Sequence, residues 1–201
     1  MKKIILIITL FFASNAMSQD GVQFGLNVSP SWKINMSKQK GTGIRNNQSG
    51  YGFNAGVPIK YWLNEFRSLN TGLDFEFTAF DYVQNGFLVS SFRFSSLHLP
   101  VMFNFHLSGS LYAMVGTGVV YNFAVRDLNV AQGTDLTGVT NNVQPYLGFG
   151  LNSLIEKDFG YFEVGVQGRY QVLDIWKSSY EKYEDSNSHL AALDLILRYY
   201  F

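Results

Sequence analysis

A large apolar residue occupies every second position over the last nine residues of the chain. These residues are Leu193, Leu195, Leu197, Tyr199 and Phe201. Two of the alternating positions carry charges, Asp194 and Arg198. Because successive side chains of a strand point to opposite faces, this segment has one apolar face and one face that accepts charge. The pattern predicts a strand with apolar surroundings on one side and polar surroundings on the other.

Seven further segments alternate in a similar way, so we predict eight strands in total. They cover about residues 22–28, 51–61, 69–81, 92–107, 111–126, 143–156, 161–174 and 193–201. The connections differ in length: 108–110 and 156–158 are tight, 62–68 is intermediate, and 33–49, 83–91, 127–142 and 175–188 are long and polar. Short turns at one end and longer loops at the other are typical of an up-and-down barrel in an outer membrane.

The composition favours a membrane as the surroundings of these strands. Hydrophobic residues make up 47% of the chain and charged residues 15%, yet no apolar run after the first residues approaches the roughly 20 residues of a transmembrane helix. Aromatic residues gather near the expected strand ends, as interfacial girdles require. They are Trp32, Tyr51, Tyr61, Trp62, Tyr121, Phe123, Phe162, Tyr170, Trp176, Tyr199 and Phe201. We therefore predict an all-β fold, an eight-stranded antiparallel up-and-down transmembrane β-barrel of OmpA/OmpX size with both termini in the periplasm.

The first residues resemble a secretory signal peptide. Lys2 and Lys3 form a positive region, residues 4–12 are apolar but too short to span a bilayer, and residues 16–18 form a small-x-small cleavage site. We predict a signal peptide over residues 1–18 and a barrel domain over residues 19–201. This predicts export through the Sec pathway to the outer membrane of a Gram-negative cell. The chain has no cysteine, which excludes disulfides and thiol chemistry.

Charged residues of both signs are predicted to face the barrel interior. The expected network consists of Lys60, Asp74, Glu76, Arg93, Arg126, Glu163, Arg169, Asp194 and Arg198. An eight-stranded barrel has an interior just wide enough for side chains to fill, and each buried charge there needs a partner. We expect Arg169 and Arg198, on neighbouring strands, to hold one or more of the carboxylates. The alternative is a charged constriction in a narrow pore for ions or small solutes.

The sequence contains no pattern that fixes a catalytic, cofactor or metal site. His98 and His106 are eight residues apart on one strand, roughly 27 Å and too far to share a metal. Residues 180–185 carry acidic groups, but their spacing matches no calcium loop. Gly116/Gly118 and Gly148/Gly150 precede no helix, so they are interpreted as small inward residues. No sequence signature fixes a Ser/His/Asp arrangement, so we expect no enzyme and no cofactor. A lipid-modifying enzyme that uses His98 or His189 with a loop serine is the alternative.

The expected partners follow from the same properties. A net charge of +0 argues against nucleic acid, whereas the outward apolar face predicts contact with outer-membrane lipid and lipopolysaccharide. The outer loops are expected to meet a protein or surface partner. We therefore expect an integral outer-membrane barrel with a mostly filled polar lumen and a structural or interaction role. A secreted lipocalin-type barrel, with its apolar face inward, is the soluble alternative.

Several stretches resemble the Bacteroidetes outer-membrane β-barrel family, the PorT-like or "porin family" group. They are residues 51–56, 73–77, 96–103, 148–151 and 168–175, the third of which contains the Leu97-His98-Leu99-Pro100 strand motif. The resemblance implies insertion by the barrel-assembly machinery, with the terminal strand (Leu193, Leu195, Leu197, Tyr199 and Phe201) as the assembly signal. Some members are tied to secretion and gliding, and the group has no common catalytic or ligand residues. Pro58 and Pro100 are expected at bulges or strand ends, since proline cannot donate to a ladder.

Overall fold

The computed structural model of the protein describes residues 21–39, 45–84, 87–128, 134–175 and 186–201. The strands are β1 (Val22–Gln39), β2 (Arg45–Asn64), β3 (Arg67–Gln84), β4 (Phe87–Ser108), β5 (Leu111–Asp127), β6 (Thr134–Asp135), β7 (Val143–Lys157), β8 (Gly160–Gln171) and β9 (Ser186–Tyr200). A short 3-10 helix covers Thr137–Val139. The predicted signal peptide over residues 1–18 lies outside the described residues.

Eight of the strands form a closed antiparallel barrel. Each long strand pairs with its neighbour in the chain, β5 pairs with β7, and the two-residue β6 is an extra strand beside Arg126 and Asp127 at the end of β5. The barrel closes because β9 pairs with β8 on one side and with β1 on the other, where Leu26 lies opposite Tyr199. The predicted eight-stranded up-and-down architecture is confirmed.

The two faces of the wall differ as the alternation predicts. On β9, the outward Leu195 is 43% exposed, whereas the inward Ile196 is 1% exposed. The outward faces are largely apolar, and the buried inward side chains are largely polar or charged. In the described part of the chain, no helix is long and apolar enough to cross a membrane.

The two ends of the barrel differ in the length of their connections. At one end the strands are joined by two-residue turns, Glu65–Phe66, Gly109–Ser110 and Asp158–Phe159. Gly109 has a φ of +54°, a left-handed conformation that suits glycine. Outer-membrane barrels have short turns on the periplasmic side, so we call this end of the barrel the periplasmic end and the opposite end the outer end. Because β2 and β3 are joined by only two residues, Glu65–Phe66, the connection predicted at 62–68 is tighter than expected.

At the other end, the first four strands extend further than their alternation predicted. β1 continues to Gln39 and β4 begins at Phe87, so much of the predicted loops 33–49 and 83–91 is strand. In a membrane barrel, water contacts the outside of any part of the wall that extends beyond the lipid, so the sequence there no longer needs to alternate between apolar and polar residues. Strand pairing continues there without that signal.

Pro58 and Pro100 lie within strands, not at bulges or strand ends as expected. Pro58 is the partner of Gly72, and Pro100 is the partner of Gly118. The β1–β2 ladder is interrupted opposite Pro58 and the β3–β4 ladder opposite Pro100, and both ladders resume in the same register. Each proline therefore removes local hydrogen bonds on one side of its strand without adding a residue.

Candidate functional site

The barrel interior is the candidate site, and its side chains are stacked in layers. The inward side of β9 shows the order: Leu190 lies nearest the outer end, followed by Asp194, Ile196 and Arg198 toward the periplasm. Each of these four residues belongs to a different cluster of lumen side chains. Alternate residues of neighbouring strands complete each layer, because every second side chain points inward.

Arg169 is at the centre of the outer ion cluster, which consists of Lys33, Asp74, Glu76, His98, Arg169 and Asp194. Its guanidinium contacts Glu76 Oε2 at 2.8 Å and both carboxylate oxygens of Asp194, with NH2 2.8 Å from Oδ1. Lys33 Nζ donates to the other oxygen of Glu76. Each of these side chains is nearly fully buried, so charge pairing is what makes their burial tolerable.

His98 connects a carboxylate to a phenol within the same cluster. Its Nδ1 lies 3.6 Å from Asp74 Oδ2, and its Nε2 lies 2.7 Å from the Tyr146 hydroxyl. Asn27 donates to the other oxygen of Asp74 at 3.0 Å. The Arg169 guanidinium lies 5.7 Å from the Tyr146 ring centroid. The row of Asp74, His98 and Tyr146 is buried among lumen side chains, which favours a structural role for the histidine.

Gly118 provides the space in which Tyr146 lies. A Cβ at Gly118 would be 2.3 Å from the Tyr146 hydroxyl and 2.5 Å from the Leu99 carbonyl oxygen. We expect Gly118→Ala to displace Tyr146 from His98 and to cost about 1–3 kcal/mol, the usual cost of overpacking. Equilibrium unfolding in urea measures the loss. Gly138→Ala is the control, because a Cβ there meets nothing within 4 Å; an equal loss in both variants would contradict this packing.

The inner ion cluster, Lys60, Asn70, Glu163 and Arg198, lies nearer the periplasm. Glu163 is fully buried and accepts hydrogen bonds from Lys60 at 2.6 Å and from Arg198 at 2.9 Å. Asn70 lies 3.4 Å from both carboxylate oxygens. The Lys60 ammonium also lies 4.7 Å from the ring centroid of Tyr200. One carboxylate thus holds two cations, with an aromatic face beside one of them.

An apolar layer separates the two ion clusters. It consists of Met102, Met114 and Ile196, all buried. A Cβ at Gly150 would lie 2.7 Å from the Met114 Cε atom, so a small residue on β7 is needed beside this layer. The flexible thioether side chains fill the irregular space between two rigid ion-paired layers.

An apolar plug closes the outer end of the interior. It consists of Phe80, Phe92, Phe94, Val125, Leu136, Ile175 and Leu190. Phe80 and Phe94 make an edge-to-face contact with ring centroids 5.9 Å apart. A small space between the plug and the outer ion cluster is lined by Lys33, Tyr146, Arg169, Gln171, Leu190 and Ala192.

Residues 134–140, in the connection between β5 and β7, fold over the barrel mouth and supply part of the plug. The Leu136 amide donates to the Val125 carbonyl at 2.8 Å, and the Val125 amide donates to the Thr137 hydroxyl at 3.0 Å. The hydroxyl and amide of Thr137 both donate to the Asp135 carboxylate, which lowers the pKa of Asp135. These local bonds hold Leu136 in the mouth.

Most of the predicted lumen charges lie in these clusters, but two do not, and one was missed. Arg93 and Arg126 are exposed on the outside of the wall. Arg93 has the same parity on β4 as Leu99, so its side chain lies on the outward face. Arg126 is turned outward by a bulge: Ser96 pairs with Asn122 and Ser95 with Ala124, so Phe123 is an extra residue and the alternation reverses after it.

Lys33 is the buried cation that the sequence analysis missed. It was assigned to the first outer loop, whereas β1 continues to Gln39 and places Lys33 inside. The alternation Asn27, Ser29, Ser31, Lys33 is the signal that would have found it. Trp62, expected in the girdle, instead donates to Gln23 at 3.0 Å inside the periplasmic end.

His106 and His189 lie at opposite ends of the barrel and form no common site. His106 Nε2 lies 2.7 Å from the Gly109 carbonyl at the periplasmic end, and His189 Nε2 lies 3.3 Å from Asp174 near the outer end. Among the residues that the structure describes, no three His, Cys, Asp or Glu side chains are placed to hold a metal ion. The acidic stretch 180–185 lies outside the described residues.

The terminal strand has its predicted apolar residues on the outside of the barrel. Leu193, Leu195 and Leu197 are exposed there, and Tyr199 packs against Phe162 with ring centroids 5.0 Å apart. The Phe201 amide donates to the Phe24 carbonyl of β1 at 3.0 Å. Phe201, which directly follows β9, therefore takes part in closing the barrel.

Comparison with known proteins agrees with this architecture. Residues 12–190 match the model of a family described as "Outer membrane protein beta-barrel domain". No curated protein matches the sequence.

Two solved structures share the fold at low sequence identity. Neisserial surface protein A (NspA) is 13% identical with a TM-score of 0.50, and the match covers 88% of this chain and 97% of that one. The outer membrane protein AlkL is 14% identical with a TM-score of 0.50, and the match covers 90% of this chain and 89% of that one. At these identities the likeness concerns the fold alone.

Proposed function

Because the chain belongs to the outer membrane protein beta-barrel domain family, we propose that it acts in the outer membrane as a closed barrel with a structural or interaction role. In that role the protein acts through its outer surfaces, which contact lipid and the cell exterior, and not through its lumen. Passage of ions or small solutes is the alternative.

The observation that carries this proposal is the stacking of four clusters along the lumen. The outer plug, the outer ion cluster, the methionine layer and the inner ion cluster follow one another along β9. The two ion clusters together hold four cations and four carboxylates, namely Lys33, Lys60, Arg169 and Arg198 with Asp74, Glu76, Glu163 and Asp194. These eight charges sum to zero over the two clusters, which weakens their attraction for ions from solution, and the apolar layers disfavour water.

Solute permeability of proteoliposomes tests the proposal. Vesicles containing the refolded protein should swell in small sugars and salts no faster than protein-free vesicles. Folding is verified beforehand by heat-modifiable migration on a gel. Swelling that depends on the folded protein would favour the narrow-porin alternative and would contradict the proposed closed lumen.

We also propose that the protein is not an enzyme. The proposal is supported by the burial of His98 in the lumen between Asp74 and Tyr146, away from the lipid-facing surface. A strain lacking the protein should have an unchanged lipid A profile by mass spectrometry. A lost lipid A modification, restored by wild-type protein but not by His98→Gln, would overturn this proposal.

We propose that the terminal strand is the assembly signal read by the barrel-assembly machinery. Its support is the outward apolar row and the bond of Phe201 to Phe24. Phe201→Ala should lower the amount of folded protein in the outer membrane, measured as the heat-modifiable fraction. Phe159→Ala is the matched control, because Phe159 is an exposed aromatic at the same end but lies in a turn. Normal levels of the Phe201 variant would contradict the role of the strand.

The finer placement of the chain is also a proposal. We propose membership of the Bacteroidetes PorT-like group and export through the Sec pathway. The support is the Leu97-His98-Leu99-Pro100 strand and the signal-like residues 1–18. Amino-terminal sequencing of the protein from an outer-membrane fraction tests the second point, since the mature chain should begin at Gln19.

A further inference from the structure

Two arginines lie side by side on the outside of the barrel wall. Arg93 of β4 and Arg126 of β5 are direct cross-strand partners, and both are exposed. The bulge at Phe123 is what turns Arg126 to the same face as Arg93. Bulges commonly re-aim a side chain, and here the re-aimed side chain is placed beside a like charge.

Like charges directly opposite each other on a sheet are destabilising, so this arrangement needs an acidic counterpart. Asp81 lies 3.6 Å from Arg93 NH1, but Asp81 accepts a short hydrogen bond of 2.6 Å from Ser91. Asp135 pairs in register with Arg126 and is bonded by Thr137. Both carboxylates therefore also bond hydroxyl groups, and they are exposed to water, which weakens their attraction for the guanidinium groups.

The position of Arg93 and Arg126 along the barrel axis indicates which layer of the membrane they contact. The outward residues of β4 run apolar from Leu107 to Leu97, about the 9–11 residues with which a tilted strand crosses the hydrocarbon core. On β5 the outward Tyr121 and Phe123 end the same apolar face, and Arg126 follows them. The two arginines therefore lie just beyond the hydrocarbon on the outer side, at the level of the lipid headgroups.

We propose that Arg93 and Arg126 form a binding site for a phosphate of the glycolipid of the outer leaflet, lipid A. Two guanidinium groups on adjacent strands offer planar sets of N–H donors that match phosphate oxygens bidentately. The apolar wall below them receives the acyl chains of the same lipid molecule. A phosphate between the arginines also relieves the repulsion of the pair.

Native mass spectrometry of the refolded protein in detergent tests the site with diphosphorylated lipid A as the probe. Wild-type protein should retain the lipid, whereas Arg93→Gln/Arg126→Gln should retain it at least about tenfold more weakly, as expected for loss of charge-assisted hydrogen bonds. Arg67→Gln is the matched control, because Arg67 is also exposed but begins β3 at the periplasmic end. Lipid A stripped of its phosphates should bind wild type and double variant equally.

Three outcomes would overturn the proposal: equal retention by wild type and double variant, equal loss in the Arg67 control, or undiminished binding of the dephosphorylated lipid. Inorganic phosphate provides a further arm. If millimolar phosphate alone occupies the arginines and lipid A adds nothing, the site is an anion site without a lipid partner. None of these outcomes depends on solute passage through the lumen, so the lipid A proposal and the closed-lumen proposal can fail independently.

Discussion

Arg169→Leu should destabilise the folded barrel by about 3–5 kcal/mol, the usual cost of removing one partner from a buried ion pair. The arginine contacts Glu76 and Asp194 together, and its loss leaves Lys33 to neutralise both. All these side chains are nearly fully buried, so water cannot replace the missing guanidinium. Equilibrium unfolding in urea, followed by tryptophan fluorescence in detergent micelles, gives the free energy of unfolding.

A matched substitution separates this effect from the general loss of an arginine. Arg67→Leu removes an exposed arginine at the periplasmic end of β3, and we expect a change within about 0.5 kcal/mol. Arg169→Leu combined with Asp194→Asn should recover part of the loss, because Asp194 is then no longer an unpaired buried charge, while Glu76 keeps Lys33 as its partner. A loss below about 1 kcal/mol in the single variant would mean that water reaches the outer ion cluster.

Leu195→Arg should cost about 2–4 kcal/mol, because it places a charge on the lipid-facing side near the bilayer midplane. Leu195 is exposed on β9 with the apolar Leu193 above it and Leu197 below it. It is paired with Val166 of β8, which is also exposed and apolar. Reversible unfolding from lipid vesicles measures the loss.

The depth dependence of the same substitution provides the control. Leu107→Arg lies next to the Gly109–Ser110 turn at the periplasmic end, and there the cost should fall to about 0–1 kcal/mol. Equal costs at both positions would contradict the assignment of the outward face to lipid. A soluble barrel of lipocalin type would tolerate arginine at either exposed position.

The sequence predicted the wall of the barrel well, because lipid imposes a strict period of two on each strand. It could not predict where that period breaks. Nothing in the local sequence marks Phe123 as an extra residue, yet its bulge moves Arg126 from the lumen to the outside. Lys33 was missed for a related reason: the alternation of inward residues reaches Lys33, but the polar residues that follow it on β1 look like a loop.

The partners of the lumen charges were also beyond the sequence. Parity identifies Arg169, Arg198 and Glu163 as inward, but only the register across several strands decides which charges meet. Arg198 reaches Glu163 on the adjacent strand, whereas Arg169 reaches both Asp194 beside it and Glu76 on β3. The plug could not be predicted for a different reason: Leu136 comes from a connection that is polar overall in the sequence.

Single-channel conductance in a planar bilayer tests the closed lumen most directly. The refolded, heat-modifiable protein should insert without producing discrete current steps across a range of voltages, because two ion-paired layers and two apolar layers fill the interior. Insertion is verified independently by protease protection of the reconstituted protein. Reproducible steps of fixed amplitude from folded protein would show a continuous water path and would contradict the account.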